Sequence, residues 1–267
     1  MQVVGLCRFS YPAEGGFQIE HDTLEARRAF LYDPARLEER FRHFEAVTLP
    51  GLTAQTDPDF AFLIVIGDDL PDPWLTRLMD LVAGFPQARV VAEAPGPHRQ
   101  VMQKVLNRAR EGRDDLCLQF RHDDDDAVAV DFVARLREAA NDCAGLLARN
   151  RMVAFDFNRG YIARPSAQGI VAEETMTPYW GVALATAVRP GVKQTIMNFG
   201  HNKLNRFMPT VTFTDSAMYV RGHNDFNDSR QKKNITRPDL VPLDAETRAI
   251  FRDRFAIDED QVRGIFA

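Results

Sequence analysis

Four short apolar runs, each followed by a segment with helical spacing, place the tightest limits on the fold of this chain. The runs are VVGLCRF at 3–9, FAFLIVI at 60–66, ARVVA at 88–92 and LCLQF at 116–120. They are apolar almost without interruption, which is typical of strands buried on both faces of a parallel sheet. We therefore predict an α/β fold with a Rossmann-like, mostly parallel sheet and helices on both faces.

Between these runs, apolar residues recur at helical spacing. The first long helix is predicted to begin at Asp33-Pro34, because Asp is a favoured N-cap and Pro a favoured first helical residue. Pro50 and Gly51 are predicted to end it. Further helices are predicted after the second, third and fourth strands, so residues 1–150 alternate strand and helix.

The alternation of strand and helix ends after Asn150. Strands are predicted at 152–158, 160–164 and 170–173, and strand-forming residues return at 211–220. Residues 178–188 (PYWGVALATAV) fit a helix and a strand equally well. We predict that residues 1–150 form one α/β half, and that residues 151–267 form an irregular extension and C-terminal lid of the same domain.

Composition excludes several classes of protein. The chain of 267 residues has a formal net charge of −5, so no nucleic-acid partner is expected. The apolar run at 60–66 is far shorter than the roughly 20 residues that span a bilayer, so no transmembrane segment is expected. The three cysteines form no metal or disulfide signature and the N-terminus has no basic leader, which predicts a cytoplasmic protein.

Polar clusters follow three of the apolar runs at the point where each strand ends. They contain Arg8 and Ser10, then Asp68 and Asp69, and then the segment HDDDD at 122–126. Because parallel sheets bind ligands beyond the carboxyl ends of their strands, we expect these clusters to form one site.

The four consecutive aspartates at 123–126 are electrostatically costly, because neighbouring carboxylates repel one another. A bound divalent cation relieves this repulsion, and hard cations such as Mg²⁺ and Mn²⁺ prefer carboxylate oxygens. Such a cation would bridge the protein to a diphosphate and stabilise the charge that develops when the diphosphate leaves. A solvated loop that caps the following helix is the alternative interpretation.

Three segments carry a resemblance to a known family. They are VLNRAREGRDDLCLQFRHDDDDA at 105–127, FLIVIGDDLPD at 62–72 and MYVRGHNDFNDS at 218–229. The sequence resembles the glycosyltransferases of the A-type fold and, among them, the bacterial family of putative rhamnosyltransferases. The resemblance implies that residues 1–150 bind a nucleotide sugar and that residues 151–267 form the acceptor side.

The resemblance also implies a metal site that holds Mn²⁺ or Mg²⁺. Asp123 and Asp125 would form the DxD pair, with Asp125 the direct ligand, and His223 would complete the site. A one-residue shift within the run leaves Asp124 and Asp126 open.

Nucleotide contacts are implied at the strand ends and on one helix. Asp68 would face the ribose or base, with Asp69 beside it. The full implied set is Arg8, Ser10, Asp68, Asp69, Asn107, Asp123 and Asp124.

An inverting transferase needs a base that accepts the proton of the acceptor hydroxyl. Glu174 is the favoured candidate and Asp215 the next, while Glu173 and Asp225 stay open. The other candidate site residues are the glycine-preceded His201, the aromatic residues Tyr179 and Trp180 for sugar stacking, and Arg230, Lys232 and Lys233 for a lid over the diphosphate.

Together these features predict a metal-dependent glycosyltransferase that moves a sugar from a nucleoside diphosphate donor to a saccharide or related acceptor. The resemblance suggests rhamnose. A sugar-phosphate nucleotidyltransferase is one alternative, disfavoured because the turn at 10–16 lacks a lysine. A non-catalytic, metal-stabilised carbohydrate-binding module is the other, and it would bind ligand without releasing a nucleoside diphosphate.

Overall fold

The computed structural model describes residues 1–15, 21–224 and 238–267. Its strands are β1 (Gln2–Arg8), β2 (Ala61–Gly67), β3 (Ala88–Glu93), β4 (Cys117–His122), β5 (Ala127–Val128), β6 (Met152–Phe157), β7 (Arg159–Ser166), β8 (Gly169–Met176), β9 (Leu184–Val188), β10 (Thr210–Phe213), β11 (Tyr219–Gly222) and β12 (Val241–Pro242). Its α-helices are α1 (Leu24–Leu31), α2 (Pro34–His43), α3 (Leu49–Thr53), α4 (Asp72–Val82), α5 (His98–Ala109), α6 (Phe132–Asp142), α7 (Ala144–Arg149), α8 (Ala245–Phe255) and α9 (Glu259–Phe266).

Seven strands form a central sheet in the order β10-β6-β9-β4-β1-β2-β3. Neighbouring strands are parallel except at β9, which runs antiparallel to β4 and β6. The four strands predicted in the first half are β1 to β4, so the predicted α/β fold with a mostly parallel sheet is confirmed. The carboxyl ends of β1, β2, β4 and β6 therefore lie at one edge, which we call the carboxyl edge.

Alternate residues of the central strands pack against helices on opposite faces of the sheet. Val3 and Cys7 of β1 belong to the core that also contains the buried residues of α2, α4 and α6. Val4 and Leu6 pack instead with the buried residues of α5. This two-sided burial explains why the strands read as continuous apolar runs.

The helix predicted at Asp33 begins as expected, because the Asp33 side chain accepts a hydrogen bond from the backbone N–H three residues later. Its end differs from the prediction, since the chain continues through a π-helical segment at 44–48 into α3. Pro50 lies in the first turn of α3, where a missing N–H is tolerated. Gly51 packs directly on the backbone of β5, where a side chain would clash.

Residues 151–267 are more regular than the predicted extension. Three strands from this half, β6, β9 and β10, continue the central sheet beyond β4, and residues 184–188 are strand rather than helix. The strands predicted at 152–158, 160–164 and 170–173 correspond to β6, β7 and β8. Within the described ranges, no helix has both the length and the apolar character that crossing a bilayer requires.

A second sheet has the order β12-β8-β7-β11-β5. Its strand β5 directly follows the aspartate run and pairs with β11, where Ala127 lies opposite Val220. The aspartate run therefore joins the two sheets, because β4 of the central sheet leads into it and β5 of the second sheet leaves it.

Candidate functional site

The aspartate run forms a tight turn at the carboxyl edge, between β4 and β5. The backbone N–H of Asp126 donates to the carbonyl of Asp123 at 3.3 Å. Nε2 of the buried His122 ring donates to the carbonyl of Asp126 at 3.0 Å. Because burial lowers the pKa of His122 to about 4, the ring is neutral at pH 7 and serves to close the turn.

Asp124 is fully buried beneath this turn and pairs with Arg40 of α2. Arg40 Nε donates to Oδ2 at 3.0 Å, and Nη2 donates to Oδ1. Burial raises the pKa of Asp124 to about 7, against the opposing effect of the Arg40 charge. The side chain is thus occupied within the protein, which differs from its predicted contact with a nucleotide.

Asp125 and Asp126 also have partners within the protein. Asn224 Nδ2 donates to Asp125 Oδ2 at 2.7 Å, and the Gly222 backbone N–H donates to Asp126 Oδ1 at 3.0 Å. Burial, together with the charge of Asp125, raises the pKa of Asp126 well above its usual range. These bonds tie the aspartate turn to the end of β11.

Asp123 is the one carboxylate of the run that is exposed. Crowding by protein acts to raise its pKa, but the charges of Arg8, Arg121 and Arg221 outweigh that effect and lower it. The parallel register of β1 and β4 places Arg8 level with Asp123. Arg121 lies in β4 and Arg221 in β11. We call Arg8, Arg121 and Arg221, which come from three strands, the arginine cluster.

A loop at 179–181, just before β9, lies over the same edge. The Arg221 guanidinium stacks on Trp180, with Cζ 4.6 Å from the ring centroid. A Cβ placed on Gly181 would lie 3.5 Å from Arg121 Nη2. The loop therefore contacts Arg221 and passes close to Arg121.

His201 is held against this loop. Its Nδ1 lies 2.6 Å from the carbonyl oxygen of Tyr179. Burial lowers the pKa of His201, and the positive charges of Arg121 and Arg221 act in the same direction. An imidazole that is neutral at pH 7 therefore stands beside the arginine cluster.

Backbone strain marks the same region. Ser10, Tyr179 and Ala183 have left-handed φ angles of 45°, 59° and 49°. Ser10 follows β1, and the other two belong to the segment that leads into β9. Residues with side chains rarely adopt this conformation, and it concentrates at functional sites where the surrounding structure enforces it.

Comparison with known proteins identifies the family. A family model described as "Putative rhamnosyl transferase" matches residues 2–235. This chain belongs to that family. The description of the family concerns glycosyl transfer.

None of the curated proteins matches the chain. Among solved structures, residues 1–349 of TarS from S. aureus are similar at 10% sequence identity with a TM-score of 0.41. That match covers 83% of this chain and 60% of the TarS chain.

In this family member, the two aspartates after β2 have different environments. The Tyr32 hydroxyl donates to Asp69 Oδ1 at 2.8 Å, and Arg28 Nε lies 2.5 Å from Asp69 Oδ2. Asp69 therefore anchors α1. Asp68 is exposed at the carboxyl edge, two strands from β4, where a nucleotide can reach it.

Ser10 and Asn107 are placed differently from their predicted nucleotide contacts. Ser10 is buried, and its hydroxyl accepts a hydrogen bond from Arg36 Nη1 at 3.4 Å. Asn107 lies near the end of α5, about 14 Å along the helix from the carboxyl edge, and donates to the carbonyl of Lys193 at 3.1 Å. It lines a groove of about 750 Å³ that borders the first residue of β4, away from the aspartate turn.

Glu174, the favoured base, pairs with Arg159 Nε at 2.6 Å on the second sheet. Glu174 of β8 lies opposite Tyr161 of β7, and Tyr161 lies opposite Val220 of β11. The side chains of Glu174 and Val220 therefore share one face of the second sheet. Because side chains alternate between the two faces of a sheet, Arg221 points to the face opposite Glu174. The strand register therefore separates the predicted base from the arginine cluster.

Asp215, the second candidate base, lies beyond the edge strand β10, three strands from β4. It pairs with Arg135 of α6 at 2.8 Å. Glu173 accepts a hydrogen bond from the Asp239 backbone N–H at 2.8 Å. These contacts do not bring either carboxylate to Asp123.

His223 continues the line of β11, where its backbone N–H donates to the carbonyl of Ala163 at 2.8 Å. Its own carbonyl accepts from Arg164 Nε at 3.3 Å. The metal-ligand role of its ring stays a prediction. The base candidate and lid residues that lie outside the described residues are Asp225, Arg230, Lys232 and Lys233.

The part of the chain that the structure describes does not fit the predicted Mn²⁺ or Mg²⁺ site. Within it, no group of three His, Cys, Asp or Glu side chains is placed to hold a metal ion. Three carboxylates of the aspartate run are bonded inside the protein, and Asp123 faces three arginines. Hydrogen bonds and the charge of Arg40 thus relieve the repulsion within the run.

Several residues around the site were not identified from sequence patterns. Arg40 is 84 positions from its partner in the run, and no local pattern links the two. Asp156, at the end of β6, accepts a hydrogen bond from the Tyr179 backbone N–H at 3.1 Å, and burial raises its pKa to about 6. Arg121 could have been predicted from the sequence, because it is an arginine at the end of an apolar strand.

Proposed function

We propose that this glycosyltransferase moves a sugar from a nucleoside diphosphate to a hydroxyl of a saccharide or related acceptor, with inversion at the anomeric carbon. The donor sugar that we propose is rhamnose, in line with the description of the family. The observation that carries the proposal is that Asp68, Asp123 and the arginine cluster all lie at the carboxyl edge. That edge is where α/β folds bind nucleotides, and guanidinium groups suit phosphate.

The strand order supports a position for the donor. Strands β4, β1 and β2 are neighbours, so Asp68 and Asp123 follow strands about 10 Å apart. We place the nucleoside across β1, with its ribose or base at Asp68 and its diphosphate at the arginine cluster.

A requirement for Mn²⁺ or Mg²⁺ stays a prediction of the sequence. A divalent cation supplies charge stabilisation to a leaving diphosphate. Asp123 is the exposed carboxylate of the run, whereas Asp125 is bonded to Asn224.

For the base we propose His201, ahead of Glu174 and Asp215. A carbonyl oxygen only accepts hydrogen bonds, so the contact with Tyr179 requires Nδ1 of His201 to carry the proton. Nε2 of the neutral ring then carries a lone pair. The lowered pKa of His201 keeps the ring in this form at pH 7.

In the proposed step, the acceptor oxygen attacks the anomeric carbon as the bond to the diphosphate oxygen breaks. The bonding electrons leave with the diphosphate, whose growing negative charge lies at the arginine cluster. The hydroxyl proton passes to Nε2 of His201. The anomeric carbon has oxocarbenium character in the transition state, as in glycoside hydrolysis.

Turnover tests this proposal. The enzyme is supplied with uridine, guanosine and thymidine diphosphate sugars, including rhamnose donors, with and without saccharide acceptors. We expect nucleoside diphosphate release coupled to a new glycosidic product. His201→Gln should lower kcat by about 10²- to 10⁴-fold with little change in the donor KM. His21→Gln, before α1, is the matched control and should keep wild-type turnover.

Other outcomes identify the alternatives. Pyrophosphate release from a nucleoside triphosphate and a sugar phosphate would indicate a nucleotidyltransferase. Saccharide binding with no nucleotide turnover would indicate a binding module. An unchanged kcat in His201→Gln would refute His201 as the base and leave the rest of the proposal standing.

A further inference from the structure

Guanidinium groups from four separate elements gather at the carboxyl edge. Arg8 ends β1, Arg121 lies in β4, Arg221 lies in β11, and Arg99 stands in the first turn of α5. Burial lowers the pKa of Arg121. The Asp123 carboxylate opposes this shift, and the charges of Arg99 and Arg8 add to it. The fold thus brings positively charged groups close together at the site proposed for the donor.

The loop at 179–181 holds one of these groups in place and passes close to a second. Trp180 provides a flat surface for the Arg221 guanidinium, at 4.6 Å from the ring centroid to Cζ, and a Cβ on Gly181 would lie 3.5 Å from Arg121 Nη2. Cation–π stacking of this kind fixes the plane of a guanidinium. A guanidinium held in a fixed plane loses less conformational entropy when it binds a ligand.

The charge of this region favours an anion over a cation. Asp123 is the exposed carboxylate that the described residues place among these arginines. A divalent cation bound at Asp123 would add positive charge to a region where guanidinium groups already repel one another. A diphosphate would instead neutralise that charge and accept paired N–H···O bonds from the arginine forks.

We propose that the arginine cluster binds the donor's diphosphate by direct guanidinium–phosphate hydrogen bonds, so that donor binding and sugar transfer need no divalent cation. Asp123 then orients the guanidinium groups and ligates no metal ion. This inference rests on the donor class proposed above, and it replaces the metal bridge that the aspartate run predicts.

Calorimetric titration with UDP, GDP and dTDP, each in EDTA and in MnCl₂ or MgCl₂, tests the inference. We expect at least one nucleotide to bind, with dissociation constants that agree within about threefold between EDTA and metal. Asp123→Asn should bind that nucleotide in EDTA at least as tightly as the wild type. Asn keeps an accepting oxygen for the arginines, whereas its side chain no longer repels the diphosphate.

Two arginine variants test the cluster itself. Arg121→Gln and Arg221→Gln should each weaken nucleotide binding by at least about tenfold. Two positions are used because Arg121 is half-buried, and the melting temperature of each free variant shows that it folds. Arg149→Gln is the matched control, because Arg149 is exposed on α7, which leads into the opposite end of β6.

Each outcome leads to a different conclusion. Nucleotide binding that occurs only with Mn²⁺ or Mg²⁺ overturns the cation-free site and leaves the proposed function standing. No nucleotide binding in either condition overturns both. Wild-type affinity in both folded arginine variants overturns the assignment of the diphosphate to the cluster.

Discussion

Arg40 and Asp124 form a buried, bidentate ion pair that joins α2 to the aspartate turn. Arg40 also lies 3.5 Å from Asp125 Oδ2. The second helix after β1 is thereby fastened to the turn after β4. The position of the exposed Asp123 at the carboxyl edge therefore depends on an interaction directly beneath it.

Arg40→Met should lower the free energy of unfolding by about 3–5 kcal/mol, because it leaves the Asp124 carboxylate buried without its partner. Guanidinium chloride unfolding, followed by circular dichroism, measures this loss. The double variant Arg40→Met/Asp124→Leu should recover most of it, since both members of the bidentate pair are then apolar. A loss below about 1 kcal/mol, as for an exposed ion pair, would argue against this role.

Gly222→Ala should lower the stability by about 1–3 kcal/mol and weaken nucleotide binding. A Cβ at this position would clash with the backbone of Asp125, so β11 would have to move away from the aspartate turn. Gly145→Ala in α7 is the matched control, because its new Cβ meets nothing within 4 Å. The control should be neutral or gain up to about 1 kcal/mol in thermal unfolding. Equal effects at the two positions would refute the close packing of β11 on the turn.

Asp156 should make the protein less stable as the pH rises from 4 to 7. Burial raises the pKa of its carboxyl to about 6, above the value of about 3.9 expected in the unfolded chain. Between these values the folded state holds a proton that the unfolded state has released, so stability falls as the pH rises.

The pKa difference at Asp156 corresponds to about 3 kcal/mol in all, and the part lost between pH 4 and pH 7 is roughly 2 kcal/mol. Asp156→Asn removes the titrating group and is the reference. Urea unfolding at pH 4 and pH 7 should show the wild type losing this amount relative to the variant. If the two proteins follow parallel curves, the assigned pKa shift is wrong.

Trp180→Leu should weaken nucleoside diphosphate binding by about 2- to 30-fold, because it removes a cation–π contact with Arg221 of roughly 0.5–2 kcal/mol. Trp74, which stacks on Phe41 in the core, provides the matched control. Trp74→Leu should lower the melting temperature and leave the affinity of the folded protein unchanged. Calorimetric titration of both variants makes the comparison, and the opposite pattern of affinities would count against the site.

Local patterns were sufficient to predict much of the fold. The continuous apolar runs of β1 to β4 report burial on both faces, which is the defining property of the central sheet. Asp33 caps α2 through contacts within one turn. The polar strand ends meet at one edge because parallel strands share their direction, and this follows from the fold class alone.

Contacts between distant residues could not be predicted in the same way. The partners of the aspartate run are Arg40, Gly222 and Asn224, between 84 and 99 positions away. The sequence shows the repulsion among the carboxylates, but not which groups relieve it. The separation of Glu174 from Arg221 likewise depends on the register of three strands, which no local pattern records.

The central claim is that the donor's diphosphate binds at the arginine cluster. A crystal structure with a bound nucleoside diphosphate tests this claim directly. We expect diphosphate oxygens within about 3 Å of guanidinium nitrogens of Arg8, Arg121 or Arg221, with the ribose or base beside Asp68. A diphosphate bound away from all three arginines would show that the carboxyl edge is not the donor site.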